Sequence, residues 1–519
     1  MLERIDRRSD RTRPPQPPRT SSGGSRAGNG VIVLANRAPF THERVEDGRV
    51  VIKRTASGLV TALEPLFDTC TGTWVAHGSG NADALVGVDR GGLDVPRTAP
   101  RYRLRYVHLT EEEHRGYYYG FANEALWPLC HAVGVPPVFR PDDFRQYQAA
   151  NARFAAAVVE EGANRAPIVL VQDYHFALAP RLVRRQLPSS TVIAFWHIPW
   201  PRPDVFGTCP WARELLEGLL GSHRVGFQTP EDCENFLASV GTTLDADVDL
   251  SAGTIRYRGS TTSVRAYPVG VDWASPQLRA TPAPAACRAR VCRDLGLPSN
   301  VRLGVGVDRL DYTKGINEKL LAVEQLLKSH PELRGRFVFV QVAEPSRGCL
   351  PAYQATRSRL LDTAARVNGR FGSDGYQPIR LVEEHHEPAE VYRLYRAADL
   401  CLVNSLHDGM NLVAKEFVSA RDDERGALVL SRFTGASQQL RGALLVDPCE
   451  VNDVAAAINR ALVMPQWEQA SRLRLLRTNV KAFDASWWAR QLIDGATRDA
   501  RETAPVSLRA ATPEVQISA

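Results

Sequence analysis

No apolar run of about 18 residues occurs anywhere in the chain, so no segment reads as a membrane-spanning helix. The first thirty residues also lack the apolar centre of a secretion signal. No C-x-x-C pair occurs. The nine cysteines (Cys70, Cys130, Cys209, Cys233, Cys287, Cys292, Cys349, Cys401 and Cys449) are odd in number and scattered. That spacing speaks against a zinc site and for reduced thiols in a cytoplasmic enzyme. Both G-x-G-x-x-G and the phosphate-loop pattern are missing, which weakens dehydrogenase and kinase readings. Basic surface is short too. Of the net charge of +6, +4 sits in residues 1–30, where seven arginines face Glu3, Asp6 and Asp10. The remainder is nearly neutral, so a nucleic-acid partner is not expected.

Length sets a two-domain prior, because 519 residues exceed what one core usually holds. Residues 1–29 and 501–519 are rich in polar and turn-forming residues and read as disordered tails. Between them, apolar runs alternate with helix patterns. Val31 to Ala35, Ile168 to Val171, Thr191 to Trp196 and Arg224 to Phe227 read as strands. So do Leu303 to Val307, Phe337 to Val342, Ile379 to Val382, Leu400 to Val403, Ala427 to Leu430 and Ala443 to Val446. Such alternation predicts an α/β chain of two doubly wound parallel sheets. The domains are expected at 30–270 and 271–480, with a hinge near Tyr267 to Asp272, a Pro- and Ala-rich linker from Pro276 to Ala286, and a last helix over 481–500. Thr229-Pro230-Glu231-Asp232 is a helix start, with Gly241 as its expected end. Thr254 to Tyr257 and Thr261 to Val264 flank a hairpin turn. Asp245, Asp247 and Asp249 alternate onto one solvated face of an extended segment, so they are not read as a metal site.

Ligands of doubly wound sheets bind beyond the carboxyl ends of the strands. Arg37, Arg309, Lys314 and Arg347 all follow strands there, and four converging cations predict phosphate ligands. Arg309 and Lys314 share one loop ahead of a helix starting near Asn317, which suits a diphosphate. Arg37 and Arg347, from opposite domains, suit a separate monophosphate. Asp173 and His197 are candidates for sugar hydroxyls, whereas His175, His385 and His386 carry no comparable context. Tyr117, Tyr118, Tyr119 and Trp127 supply aromatic surface. Ser405 to Phe417 reads as an exit from a buried strand through an Asp-Gly turn into an amphipathic helix. Its start offers bare backbone N–H groups to an anion, and Glu416, on the edge of its apolar face, suits a ribose.

Asn36-Arg37, the Tyr118 to Trp127 segment, Asp173-Tyr174-His175, His197-Ile198-Pro199, Arg309 to Gly315, Ser346-Arg347-Gly348 and Asp408 to Glu416 resemble the trehalose-6-phosphate synthase family from about Val31 to Leu492. The resemblance implies the GT-B fold and metal-independent, retaining transfer of glucose from UDP-glucose to glucose 6-phosphate, with no cofactor. It places Arg309, Lys314, Glu416, Gly58 and the amides near Leu412 and Val413 on the donor nucleotide. Asp408 and His197 then meet the transferred glucose. Arg37, Tyr118, Trp127, Asp173 and Arg347 meet the acceptor, and Arg309, Lys314 and Asp408 carry catalysis. Nucleotide sugar and sugar phosphate are the implied partners. Neither membrane nor nucleic acid is among them, and a homo-oligomer is compatible. Four places depart from the family pattern: His407 for Arg, Ser57-Gly58 for Gly-Gly, Ala76-His77 where Gly-Trp stands, and Gln439 for Glu. Alternatives are a glucosylglycerol-phosphate synthase, a cyclitol-coupling relative, or a non-catalytic sugar-phosphate sensor. The short stretch after Leu492 implies that any phosphatase is a separate protein.

Overall fold

The computed structural model describes residues 30–503 apart from 56–57, 69, 87–91, 97–98 and 374. Both expected tails lie outside the described residues, except that the last helix runs through Thr503. Two parallel-cored sheets organise the chain. The first orders its strands Asp247–Asp249, Thr254–Tyr257, Ser260–Ala266, Arg224–Phe227, Thr191–Phe195, Ile168–Gln172, Val31–Leu34, Gly72–His77, Tyr102–Val107 and Leu93–Val95. Seven neighbouring strands, from Ser260–Ala266 to Tyr102–Val107, run parallel, and antiparallel pieces close both edges. The second sheet is parallel throughout: Ile379–Val382, Phe337–Glu344, Arg302–Arg309, Leu400–Val403, Ala427–Ser431 and Leu444–Val446.

The apolar runs form strands because they are buried on both faces, as in Val31–Leu34 and Leu400–Val403. Gly72–His77 and Tyr102–Val107 were not foreseen. The second of these alternates buried and half-buried residues, a signal that two arginines dilute. Arg302–Arg309 runs two residues beyond Val307, so Arg309 ends a strand instead of sitting in a loop. The linker expected from Pro276 is helical over Pro276–Ala280 and again from Pro284, since proline at the first helical position starts a helix. Thr229 and Asp232 form the capping box of Pro230–Thr243, and that helix passes Gly241. Asp247 is ion-paired to Arg256 at 2.6 Å, while Asp245 lies outside the short strand.

Leaving the first sheet after Ala266, the chain passes through Val269 to Asp272 into the second half. It then comes back. The helix Ala485–Thr503 lies against strands of the first sheet, with Trp488, Leu492 and Ala496 buried. The Ala485 N–H donates to the Val271 carbonyl at 3.0 Å, so the two crossings touch. Gly270 permits this, because a side chain there would overlap the Phe483 and Asp484 backbone. Among the described residues, no helix is long and apolar enough to cross a membrane.

Candidate active site

The carboxyl ends of the two sheets face each other across a cavity of about 630 Å³. All thirteen site residues expected from the sequence line it: Arg37, Gly58, Tyr118, Trp127, Asp173 and His197 from the first half, and Arg309, Lys314, Arg347, Asp408, Leu412, Val413 and Glu416 from the second. Close approach is built into the backbone. A methyl group at Gly58 would come within 2.6 Å of Leu412 Cδ1, and one at Gly409 would overlap the His197 carbonyl.

The second half presents the helix Leu412–Ala420, whose first amides have no partner within the helix. Asn411, at φ 74°, caps it through its side-chain oxygen on Ala414 N. Its amide donates to Asp408 Oδ2 at 3.1 Å, where Lys314 Nζ at 2.5 Å and the Ser405 hydroxyl at 3.2 Å also donate. Burial pushes the Asp408 carboxyl up, yet Lys314 and Asn411 outweigh it and hold the group below its ordinary value. Glu416 differs. It faces the cavity with Tyr395 as its donor at 3.3 Å, and burial pushes its carboxyl up.

The expectation of four uncompensated cations needs correcting. Lys314 pairs with Asp408, and Arg347 with the buried Asp311 at 3.3 Å. Arg347 is further held by the hydroxyls of Tyr353 at 2.6 Å and Tyr174 at 3.1 Å, and lies 4.3 Å above the Trp127 ring. Arg309 stands 5.3 Å over the same ring, so one indole from the first half contacts two cations of the second. Arg37 is exposed at the cavity wall.

In the first half, Tyr118 sits on the π-helical stretch Arg115–Leu126. Its ring lies between those of His114 at 5.2 Å and His175 at 5.8 Å, both nearly parallel to it. Burial pushes the Tyr118 phenol up, but Arg347, Arg37 and Arg309 overcome that and bring it down to about 8. Asp173, at φ 74°, accepts from the His197 N–H at 3.1 Å. Burial raises its carboxyl to about 6 against the pull of those amides, Arg309 and Arg347. Burial also drives His197 down to about 3, so its ring is neutral. Asp173, Arg347 and Asn411 all hold positive φ in this one cavity, a concentration of backbone strain that marks functional sites.

His175 had no sequence context, yet it lines the cavity behind Tyr118; the Tyr174-His175 pair beside Asp173 was the available signal. Gln172 and Gln228 also line it and were not foreseen, since a glutamine at a strand end carries no charge pattern. Among the described residues no group of three His, Cys, Asp or Glu could hold a metal ion.

A cleft between two such sheets, lined by cations and a helix start, suits phosphorylated ligands, and known proteins with this arrangement exist. Glycosyltransferase family 20 matches residues 29–498. The trehalose-6-phosphate synthase of Mycobacterium avium (strain 104) is 38% identical over 484 residues, spanning 92% of this chain and 97% of its own. That of Mycobacterium tuberculosis (strain ATCC 25618 / H37Rv) is 39% identical over 480 residues, 89% of this chain and 93% of its own. Among solved structures, an E. coli trehalose-6-phosphate structure bound with UDP-2-fluoro glucose superposes with a TM-score of 0.80 at 30% identity, covering 90% of this chain and 99% of that one. A UDP-forming α,α-trehalose-phosphate synthase from Burkholderia xenovorans, in complex with glucose-6-phosphate, gives 0.78 at 30% identity, covering 90% and 100%. The fold is therefore GT-B, and the chain belongs to glycosyltransferase family 20.

Proposed function

We propose that this chain transfers glucose from UDP-glucose to glucose 6-phosphate with retention, forming α,α-trehalose 6-phosphate and UDP. The observation that carries this reading is the convergence on one cavity of Arg37, Arg309, Lys314 and Arg347 with the start of the helix at Leu412, more positive charge than one phosphorylated ligand calls for. In this reading Arg309, Lys314 and the helix start serve one ligand, and Arg37 and Arg347 with Tyr118 the other. Residues 271–480 then hold the nucleotide sugar, residues 30–270 hold most of the acceptor site, and the last helix, expected over 481–500 and found at Ala485–Thr503, ties the two together.

Arg309, Lys314 and the amides of Leu412 and Val413 meet the diphosphate, with Gly58 leaving room for it and Glu416 taking the ribose hydroxyls. Arg37, Tyr118 and Arg347 hold the acceptor phosphate beside Trp127, and Asp173 an acceptor hydroxyl. His197 and Asp408 orient the glucose being moved. The bond from its anomeric carbon to the diphosphate oxygen breaks as the bond to the acceptor oxygen forms on the same face. The acceptor's proton passes to the departing phosphate oxygen. Negative charge grows on that leaving group, and preorganised cations stabilise it most where it grows most. Asp408 is poorly suited to act as a nucleophile, because one of its oxygens already accepts from Lys314, Asn411 and Ser405. With Arg309 and Lys314 meeting the diphosphate charge, the rate is expected to be unchanged in EDTA, as a chelator titration of initial rates would show.

Purified protein given UDP-glucose and glucose 6-phosphate should release UDP, and NMR of the product should show an α,α-1,1 linkage. Absence of turnover with every nucleotide donor would overturn the reading in favour of a sugar-phosphate sensor. The nine cysteines, free in the structure, and substrates of this class support a cytoplasmic setting.

A further inference from the structure

His197 sits where the two halves meet, and its hydrogen bonds can be followed atom by atom. The Val269 N–H can only donate, so the Gln228 atom 3.0 Å from it is Oε1 and the other end of that amide is the NH2. This NH2 lies 3.3 Å from His197 Nδ1 and 3.5 Å from the His197 carbonyl. Both therefore accept. With Nδ1 an acceptor, the single hydrogen of the neutral ring is on Nε2, which donates to Gln172 Oε1 at 2.8 Å. Turning Gln172 over would set its NH2 against that N–H. Its Nε2 is accordingly left buried without a partner among the described residues. Phe195 at 4.5 Å and Trp488 at 6.1 Å pack against the ring.

The anchor of this chain lies in the hinge. Lys415, buried on the helix that also carries Leu412, Val413 and Glu416, donates to the Val269 carbonyl at 2.7 Å. Burial pushes the Lys415 ammonium down to about 7, a cost the fold bears at a position where a neutral side chain would pack more cheaply. The donor-side helix thus holds Val269 by its carbonyl, and from the N–H of the same residue hydrogen bonds run on to Gln228, His197 and Gln172.

We propose that Gln228 is a positioning residue: anchored on the Val269 amide, it fixes His197 as the Nε2–H tautomer, and Lys415 holds that anchor from the donor-side helix. The inference rests on the reading that His197 orients the transferred glucose: with both ring nitrogens taken by Gln172 and Gln228, the tautomer decides whether both bonds can hold the residue in place at the cavity wall.

Histidine labelled with 15N reads the tautomer directly, the His197 resonances being identified by their loss in His197→Asn. The native protein should show Nε2 protonated and Nδ1 bare. Gln228→Glu keeps an acceptor for the Val269 N–H but replaces the donor facing Nδ1 with an acceptor, so Nδ1 should take up a proton. With it kcat should fall about tenfold or more, while KM for UDP-glucose stays nearly constant. A native tautomer in Gln228→Glu would overturn the proposal. A changed tautomer with native kcat would leave the tautomer lock standing and overturn instead the placement of His197 beside the glucose. Lys415→Met, which loosens the anchor without touching the ring, should give a mixture of tautomers and a smaller loss of kcat. It carries the same two readouts should the glutamate variant not fold, and there an unmixed native tautomer overturns the proposal.

Discussion

At the scale of the residue, what distinguishes the four expected cations is whether the protein supplies their counter-charge. Lys314 and Arg347 have carboxylate partners in Asp408 and Asp311. Truncating either therefore strips a buried acid of its cation, which by itself costs about 3–5 kcal/mol. Arg347→Lys is the cleaner probe. It keeps a charge for Asp311 and loses the planar fork that reaches Tyr353 and Tyr174 and lies on Trp127, so KM for the acceptor should rise with KM for UDP-glucose unchanged. Arg309→Ala removes a cation that, among the described residues, has no carboxylate in ion-pair contact, although it acts on Asp311 and Asp173 from further off. It should cost about 2–4 kcal/mol in the transition state, read as a fall in kcat/KM with native donor affinity largely spent. Tyr118 adds a pH dependence. Its phenol must keep its proton to donate to the acceptor phosphate, and the surrounding arginines bring its pKa down to about 8. Below that pH the donor is intact, and above it a phenolate repels the phosphate, so KM for glucose 6-phosphate should climb as pH rises through about 8. The same profile measured on Tyr118→Phe should lose that alkaline limb.

At the scale of the element, the turn from Ser405 to the helix at Leu412 has a backbone that excludes side chains. Gly409 lies against the His197 carbonyl and Gly435 against the Gly409 carbonyl. Gly409→Ala should therefore hold the two halves apart and abolish transfer while leaving the far-ultraviolet circular dichroism native. By contrast, Thr229→Ala removes a capping box distant in role from the ligands, and should lower stability by about 1 kcal/mol in a urea titration without changing either KM. This element was also the most legible stretch of the sequence. The strand Leu400–Val403, the Asp408-Gly409 turn and the helix face with Glu416 at its edge each follow from local pattern. Charge at strand ends singled out Arg37, Arg309, Lys314 and Arg347, and strand and helix pattern Asp173, His197, Glu416 and the helix start at Leu412. Gly58, Tyr118, Trp127 and Asp408 came instead from the family resemblance; all thirteen line one cavity. What local pattern could not carry was pairing. Nothing near Arg347 in sequence announces that Asp311 and Tyr174, 36 and 173 residues away, will hold it. Gln172 and Gln228 escaped notice for the same reason, because a neutral amide acquires its role only from what faces it. Tyr102–Val107 escaped because two arginines interrupt its apolar face, and Gly72–His77 because glycine, threonine and histidine leave only Trp74 to Ala76 as an apolar run although the strand is buried.

At the scale of the whole molecule, the two halves are joined twice, and the second join does more than close the chain. The helix Ala485–Thr503 follows the second sheet in sequence but buries Trp488 and Leu492 against the first. Arg224 of the first sheet reaches Asp499 of that helix at 2.5 Å, and a side chain at Gly495 would collide with the same arginine. Trp488 also packs on the ring of His197, so the join and the candidate site share a wall. Trp488→Ala should then lower stability by about 3–5 kcal/mol, the range for emptying a core tryptophan site, and reduce kcat as well. Ligand binding offers a check on that figure. A ligand that engages only the assembled cleft stabilises it by about 2.7 kcal/mol at a hundred times its Kd. Saturating UDP-glucose should accordingly recover part of the lost melting temperature in Trp488→Ala and no more, whereas full recovery would mean that the helix contributes less to the join than its buried side chains imply.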